Sequence, residues 1–391
     1  MRITDVAPQL VRGSDGPDAR HHCFIEVRTA SGVKGIGEAT APGMERAVAG
    51  AVEEYGRYLV DRDPRGIEGH WSRLYDSIAW NWGPVAMTAL SGIEMALWDL
   101  LGKHYGVRVC DLLGGPIRER LKLYANGIVD KGASPSETAE AAADINGRGF
   151  DLLKFIPTYD NGERAWLTDQ QRTLTRQRLE AVSKRVGDQL DIAVESHGVL
   201  APRASVELAE IVEPFDPVFY EEPIPPENID ALRRIRHDID LPVATGERLL
   251  TVHDYRGLLQ HPVPADIVQP DVNNCGGISQ LKKIAAMAET EYLGVAPHNS
   301  RGPVATAAAA HVSSTLPNFL VLEYFPDLPP WRQDLVVGSE PVEDGYYHLP
   351  DGPGLGIELD TSACERYPYD KAKQAESQHS HGWRDFWDAS Q

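Results

Sequence analysis

Residues 218–247, VFYEEPIPPENIDALRRIRHDIDLPVATGE, contain a repeating unit of strand, helix and strand, with a glutamate at the C-terminal end of each strand. The two strand-like runs cover 218–222 and 242–246, and Glu221 and Glu247 close them. The same alternation extends in both directions. Further short apolar runs lie at 123–128, 152–157, 191–195, 266–270, 293–297 and 319–324. Segments of helical periodicity separate them, among them PSETAEAAADINGRG, RTLTRQRLEAVSKRVG and GISQLKKIAAMAETE, with Gly and Pro at most junctions. Eight β units alternating with helices predict a closed parallel (β/α)8 barrel. The alternative is an open doubly wound sheet, but the first strand is not followed by the GxGxxG turn that usually begins one.

The rest of the 391-residue chain divides around this barrel. HHCFIEVRT and KGIGEA predict antiparallel strands around Ala30-Ser31-Gly32, and SGIEMALWDLLGKHYG predicts an amphipathic helix. Residues 1–121 are therefore expected to form an α+β domain and 122–325 the barrel. Residues 326–391 would return to the first domain through GYYHLPDGPGLGIELD and end in a polar tail after Asp370. A net charge of −20 argues against a nucleic-acid partner, because a phosphate backbone requires clustered Lys and Arg. Four scattered cysteines without CxxC spacing read as free thiols. With no signal-peptide pattern and no run expected to cross a membrane, the expectation is a cytoplasmic protein.

In such barrels the chemistry sits where strands end and βα loops begin. Those positions carry Lys154, Glu195, His197, Glu221, Glu222, Glu247, Asp271, His298 and Glu323. Glu195, Glu221 and Glu247 end three adjacent strands, and three clustered carboxylates repel one another unless a cation neutralises them. An all-oxygen set with open positions suits one Mg²⁺. Glu222, pointing the other way along its strand, reads as a supporting partner.

The chain resembles the mandelate racemase subgroup of the enolase superfamily through SGIEMALWDLLGKHYGVRVCDLLGG, FYEEP, ATGER, QPDVNNCGGIS, the histidine–asparagine stretch at 297–303 and PDGPGLG. The resemblance implies a modified barrel under an α+β cap built from both termini, with Glu195, Glu221 and Glu247 as metal ligands. Asp is more usual at the first of these, so Glu195 reaches about one methylene further. It also implies proton abstraction alpha to a carboxylate, and a homo-oligomer.

By the same resemblance His298 is the general base and Asp271 its partner; the carboxylate orients the imidazole and raises its basicity. Where racemases carry a second strand lysine, this chain has Ile156, which puts two-base racemisation in doubt. Lys154 is expected to hold the substrate carboxylate or to pair with a metal-site glutamate. ESHG places His197 two residues after Glu195, on the same face. Acid-sugar dehydratases resembling galactonate dehydratase have a histidine here that protonates the departing 3-hydroxyl. Glu323 is expected to bond a substrate carboxylate oxygen, and to carry or share a proton for that purpose, which burial among acids would favour. Asn299, Arg301 and Trp331 are candidate substrate contacts. So are His21 and Trp82, from cap loops around 13–22 and 79–83. The expected activity is acid-sugar dehydration to a 2-keto-3-deoxy acid; the alternative is an epimerase or cycloisomerase using the same enediolate chemistry.

Overall fold

The computed structural model describes residues 1–12, 21–77, 83–130, 132–158, 164–327, 331–337 and 340–370. Three antiparallel strands come first: β1 (Ile3–Arg12), β2 (His21–Thr29) and β3 (Lys34–Glu38). β2 and β3 are the expected pair, and Gly32 takes the left-handed φ of +84° at their turn. β1 has no clean alternation in sequence. Helix Pro84–Tyr105 lies across this sheet. By length and composition it could span a membrane, but its most apolar window is 78% buried in the protein. The contact is backbone to backbone: a Cβ at Gly37 would stand 1.9 Å from the Gly92 carbonyl oxygen.

The barrel strands are β4 (Arg120–Ala125), β5 (Leu152–Phe155), β6 (Asp191–Glu195), β7 (Tyr220–Glu221), β8 (Val243–Thr245), β9 (Ile267–Val268), β10 (Gly294–Val295) and β11 (Leu322–Tyr324). They pair in parallel from β4 through β10, β11 pairs with β4, and a parallel bridge between Val295 and Phe319 closes the ring. Inside lies one residue per stave: Tyr124, Leu152, Ala193, Phe219, Ala244, Ile267, Ala296 and Val321. Two large aromatic rings face small alanines, so the interior is a packed core that serves as the floor of the mouth.

Most barrel strands are shorter than the sequence suggested. Pro157, Pro242, Pro270 and Pro297 stand at their expected ends, and proline has no N–H to give the ladder. β4 starts earlier than expected because residues 120–122 pair antiparallel with β13 (Tyr346–His348), the second strand of a hairpin with β12 (Val342–Glu343). That hairpin thus adds to the barrel, correcting the expectation that the whole closing segment returns to the first domain. The stretch after it does return: Leu355 N–H donates to Asp99 Oδ1 at 2.8 Å, and Val11 bridges Pro368. The tail beyond Asp370 lies outside the described residues.

His311, buried in helix Pro303–Ser313, joins these parts. Its Nδ1 lies 3.3 Å from the Cys110 N–H and its Nε2 3.1 Å from the Leu355 carbonyl, a pairing that only the neutral Nε2–H tautomer satisfies fully. Burial lowers its pKa to about 4 from 6.5. The unfolded chain therefore binds this proton first as pH falls. Stability is full above the unfolded value and is lost between about 6.5 and 4, by about 2 kcal/mol at pH 5. In urea titrations at pH 7 and pH 5, His311→Gln is expected to shrink the pH-dependent difference by that amount; an unchanged difference would contradict it.

Candidate active site

Glu195 and Glu221 are register partners on β6 and β7, so their side chains emerge side by side at the barrel mouth. Glu247 joins them from just beyond β8. One carboxylate oxygen from each of the three lies within 4.8 Å of the others, and all three residues are buried. Lys154, from β5, rises beneath them. Its Nζ pairs with Glu221, lies 3.3 Å from Glu195 Oε2 and 3.0 Å from Glu323 Oε1, and its side chain is 0% exposed. This is the ion-pair arrangement. Of the two roles expected for Lys154, these contacts belong to the second.

Opposite the triad, His298 Nδ1 stands 2.9 Å from Asp271 Oδ2, while its Nε2 lies 3.5 Å from both Glu247 and Glu323. Burial works to lower the His298 pKa, but Glu247, Glu323 and Asp271 together outweigh it and push the pKa up to about 10. Positive charge at the triad would cancel much of the Glu247 contribution and bring the imidazole back toward neutrality.

Glu323 departs from expectation. Burial favours its proton, yet Lys154, His298, the Asn299 N–H at 2.7 Å and Asn126 Nδ2 at 2.7 Å hold its pKa well below the usual carboxylate range.

His197 has a left-handed φ of +53° and a side chain 39% exposed, the most open of the ionisable groups at the mouth. Its Nε2 lies 3.9 Å from Glu247 Oε1. Arg248 ties this loop down: Nη2 donates to the His197 carbonyl at 2.8 Å, Nη1 lies 3.2 Å from Glu222 Oε2, and Nε lies 3.4 Å from Glu247 Oε1. Glu222 accepts from Thr245 Oγ1 and the Gly246 N–H through Oε1. Burial raises its pKa to about 7.

Among the other candidates, Arg301 lies 3.5 Å from Asp271 Oδ2 through Nε, beside the dyad. Asn299 is 2% exposed and donates both amide hydrogens, to Thr306 Oγ1 and the Glu323 carbonyl. His21 is buried edge-on against Tyr369, and its charged neighbours are Arg12, His22 and Asp370 rather than the mouth acids. Trp82 and most of the two cap loops lie outside the described residues, as does the Trp331 side chain. Sequence reading missed Gln269, whose Nε2 donates to Glu221 Oε2 at 2.5 Å, and also Asn126 and Arg248. Gln269 and Asn126 each follow the last residue of a strand, β9 and β4, so strand ends could have signalled both.

The donor set fits a divalent cation. Glu195, Glu221 and Glu247 bring carboxylate oxygens within 4.8 Å of one another, and the cations nearby are shared: Lys154 among Glu195, Glu221 and Glu323, and Arg248, Arg301 and the two imidazoles among Glu222, Glu247 and Asp271. Glu221 registers this: burial raises its pKa well above the usual range, and Glu195, Glu323 and Glu247 add to the rise against Lys154. A buried site that cannot ionise fully by itself, built from hard oxygen donors, suits Mg²⁺.

A capped parallel barrel with three convergent glutamates and a His–Asp dyad at its mouth defines the enolase superfamily's architecture. The chain belongs to its mandelate racemase/muconate lactonizing enzyme family: residues 12–114 match that family's N-terminal domain and 137–363 the enolase C-terminal domain-like model. It is 34% identical to a D-galactonate dehydratase of Xanthomonas euvesicatoria, over 88% of this chain and 90% of that protein. With a D-xylonate dehydratase of Haloferax volcanii it shares 32% identity, over 93% and 88%. Among solved structures, a mandelate racemase/muconate lactonizing enzyme from Jannaschia sp. CCS1 superposes with a TM-score of 0.88 at 33% identity, covering 95% of this chain and 98% of that one.

Proposed function

We propose that the protein is a Mg²⁺-dependent acid-sugar dehydratase that turns an aldonate into a 2-keto-3-deoxy acid. The observation that carries this reading is the placement of two imidazoles about one ligand carboxylate: His298 Nε2 lies 3.5 Å from Glu247 Oε2 and His197 Nε2 3.9 Å from Glu247 Oε1. A base and an acid thus face the same small volume above the triad. Relatives named for gluconate, galactonate and xylonate dehydration support the substrate class.

In this reading Glu195, Glu221 and Glu247 hold the cation, which supplies positive charge against the enediolate that forms when the C2 proton leaves. His298, neutral and fixed by Asp271 as the Nδ1–H tautomer, takes that proton on Nε2. The electrons of the C2–H bond enter the enediolate of C1 and C2, and when it collapses they form the C2–C3 double bond as the C3–O bond breaks. His197 gives its proton to the departing hydroxyl, so water leaves rather than hydroxide. The resulting enol tautomerises to the keto acid. Glu323 accepts from Lys154, and Lys154 fixes the triad from below. Ile156 offers no second base on the opposite face, which weighs against racemisation. A cytoplasmic homo-oligomer is part of the same proposal.

His197→Asn separates the two half-steps. The variant is expected to lose keto-acid formation by roughly 10²–10⁴-fold while still exchanging the C2 hydrogen with D₂O, because only the leaving-group acid is gone. NMR of the substrate reads exchange, and semicarbazide absorbance reads product. Loss of both in equal measure would remove His197 from the acid role.

A further inference from the structure

The cap domain reaches the dyad through a buried circuit of hydrogen bonds that the chemistry above does not use. Glu38, the last residue of β3, is 0% exposed. It accepts the Gly302 N–H at 2.7 Å and the Ala305 N–H at 3.1 Å. These belong to the N-terminus of helix Pro303–Ser313, which begins where the loop carrying His298 ends. Thr40 Oγ1 donates to Glu38 Oε1 at 2.8 Å. The Thr40 backbone then meets Asn273 twice: its N–H donates to Oδ1 at 3.2 Å, and its carbonyl accepts from Nδ2 at 2.7 Å. Finally the Asn273 N–H donates at 2.8 Å to Asp271 Oδ1, on the carboxylate whose other oxygen holds His298.

We propose that Glu38 is a positioning residue for proton abstraction: through Gly302 on one side and Thr40–Asn273 on the other, the cap fixes both halves of the His298–Asp271 dyad. This rests on the dehydratase reading for its kinetic consequence but not for its geometry. A carboxylate is suited to the place because it accepts from several N–H groups at once and complements a helix N-terminus. A glutamine would turn an NH₂ toward one of those N–H donors. His22 Nδ1 lies 3.0 Å from Glu38 Oε1, so the same carboxylate links the dyad to β2, next to residues 13–20 of the cap. The cap then does more than cover the mouth; it sets the register of the base.

The test uses full-length Mg²⁺-loaded protein and the variants Glu38→Gln, Thr40→Val and Thr40→Ser. Asp99→Asn is the control, removing another buried cap carboxylate whose N–H partners are Ile36 and Leu355, away from the dyad. Glu38→Gln and Thr40→Val are expected to lower kcat roughly 10–100-fold with little change in KM, while Thr40→Ser and Asp99→Asn stay near the parent. Independently of any substrate, ¹⁵N-histidine NMR follows the His298 Nδ1–H proton shared with Asp271, assigned by its loss in His298→Asn. That resonance is expected to broaden or move upfield in the first two variants only. If Glu38→Gln does not fold, Thr40→Val carries the test alone. An unmoved resonance, or a kcat loss matched by Asp99→Asn, would overturn the proposal. A parent enzyme inactive on every acid sugar would sink the dehydratase reading instead, leaving the NMR comparison to decide this one.

Discussion

His298→Asn is expected to lower kcat and kcat/KM together by roughly 10³–10⁴-fold, with KM nearly unchanged, since a general base acts in the transition state and not in binding. The side chain stands 2.9 Å from Asp271 through Nδ1 and presents Nε2 to Glu247 at 3.5 Å, so its removal takes the imidazole away from that volume. Asparagine keeps a polar group near Asp271, limiting collapse of the wall. Hydrogen exchange at C2 in D₂O should vanish with turnover, which distinguishes this variant from His197→Asn. Persistent exchange would place the base elsewhere.

Removing the triad's charge should have an effect of the same order. Chelation is expected to abolish activity and Mg²⁺ to restore it. Calorimetry reads the binding without substrate: Mg²⁺ at about a hundredfold over Kd should stabilise the protein by about 2.7 kcal/mol, seen as a rise in Tm. Glu221→Gln is expected to erase that rise, because one of the three converging carboxylates is gone. A metal-dependent Tm rise that survives Glu221→Gln would mean that the cation sits elsewhere.

The features legible in sequence were those that follow from periodicity and from strand ends. The barrel follows from eight short runs, and Glu195, Glu221, Glu247, Asp271 and His298 are found by reading where those runs stop. Contacts made by residues with no positional signal were not legible. Nothing in ATGER says that Arg248 reaches back to the His197 carbonyl, and nothing in KGIGEA says that Glu38 ends on a helix 264 residues away. Charge states depend on the same long-range contacts. Glu323 was expected to carry a proton because acids surround it, but Lys154 and two N–H donors, brought in by the fold, reverse the balance. Nothing in the sequence says that the Asn299 amide donates to Thr306 and the Glu323 carbonyl. The hairpin at β12 and β13 carries short alternating runs that fit either domain, and only its pairing with β4 decides between them.

The most direct measurement is product identification from a complete panel of four-, five- and six-carbon acid sugars, incubated in D₂O with purified protein and Mg²⁺. At least one aldonate should yield a 2-keto-3-deoxy acid detectable with semicarbazide, with no product from His298→Asn. Deuterium entering C2 without any keto acid across the whole panel would contradict dehydration and leave an isomerase.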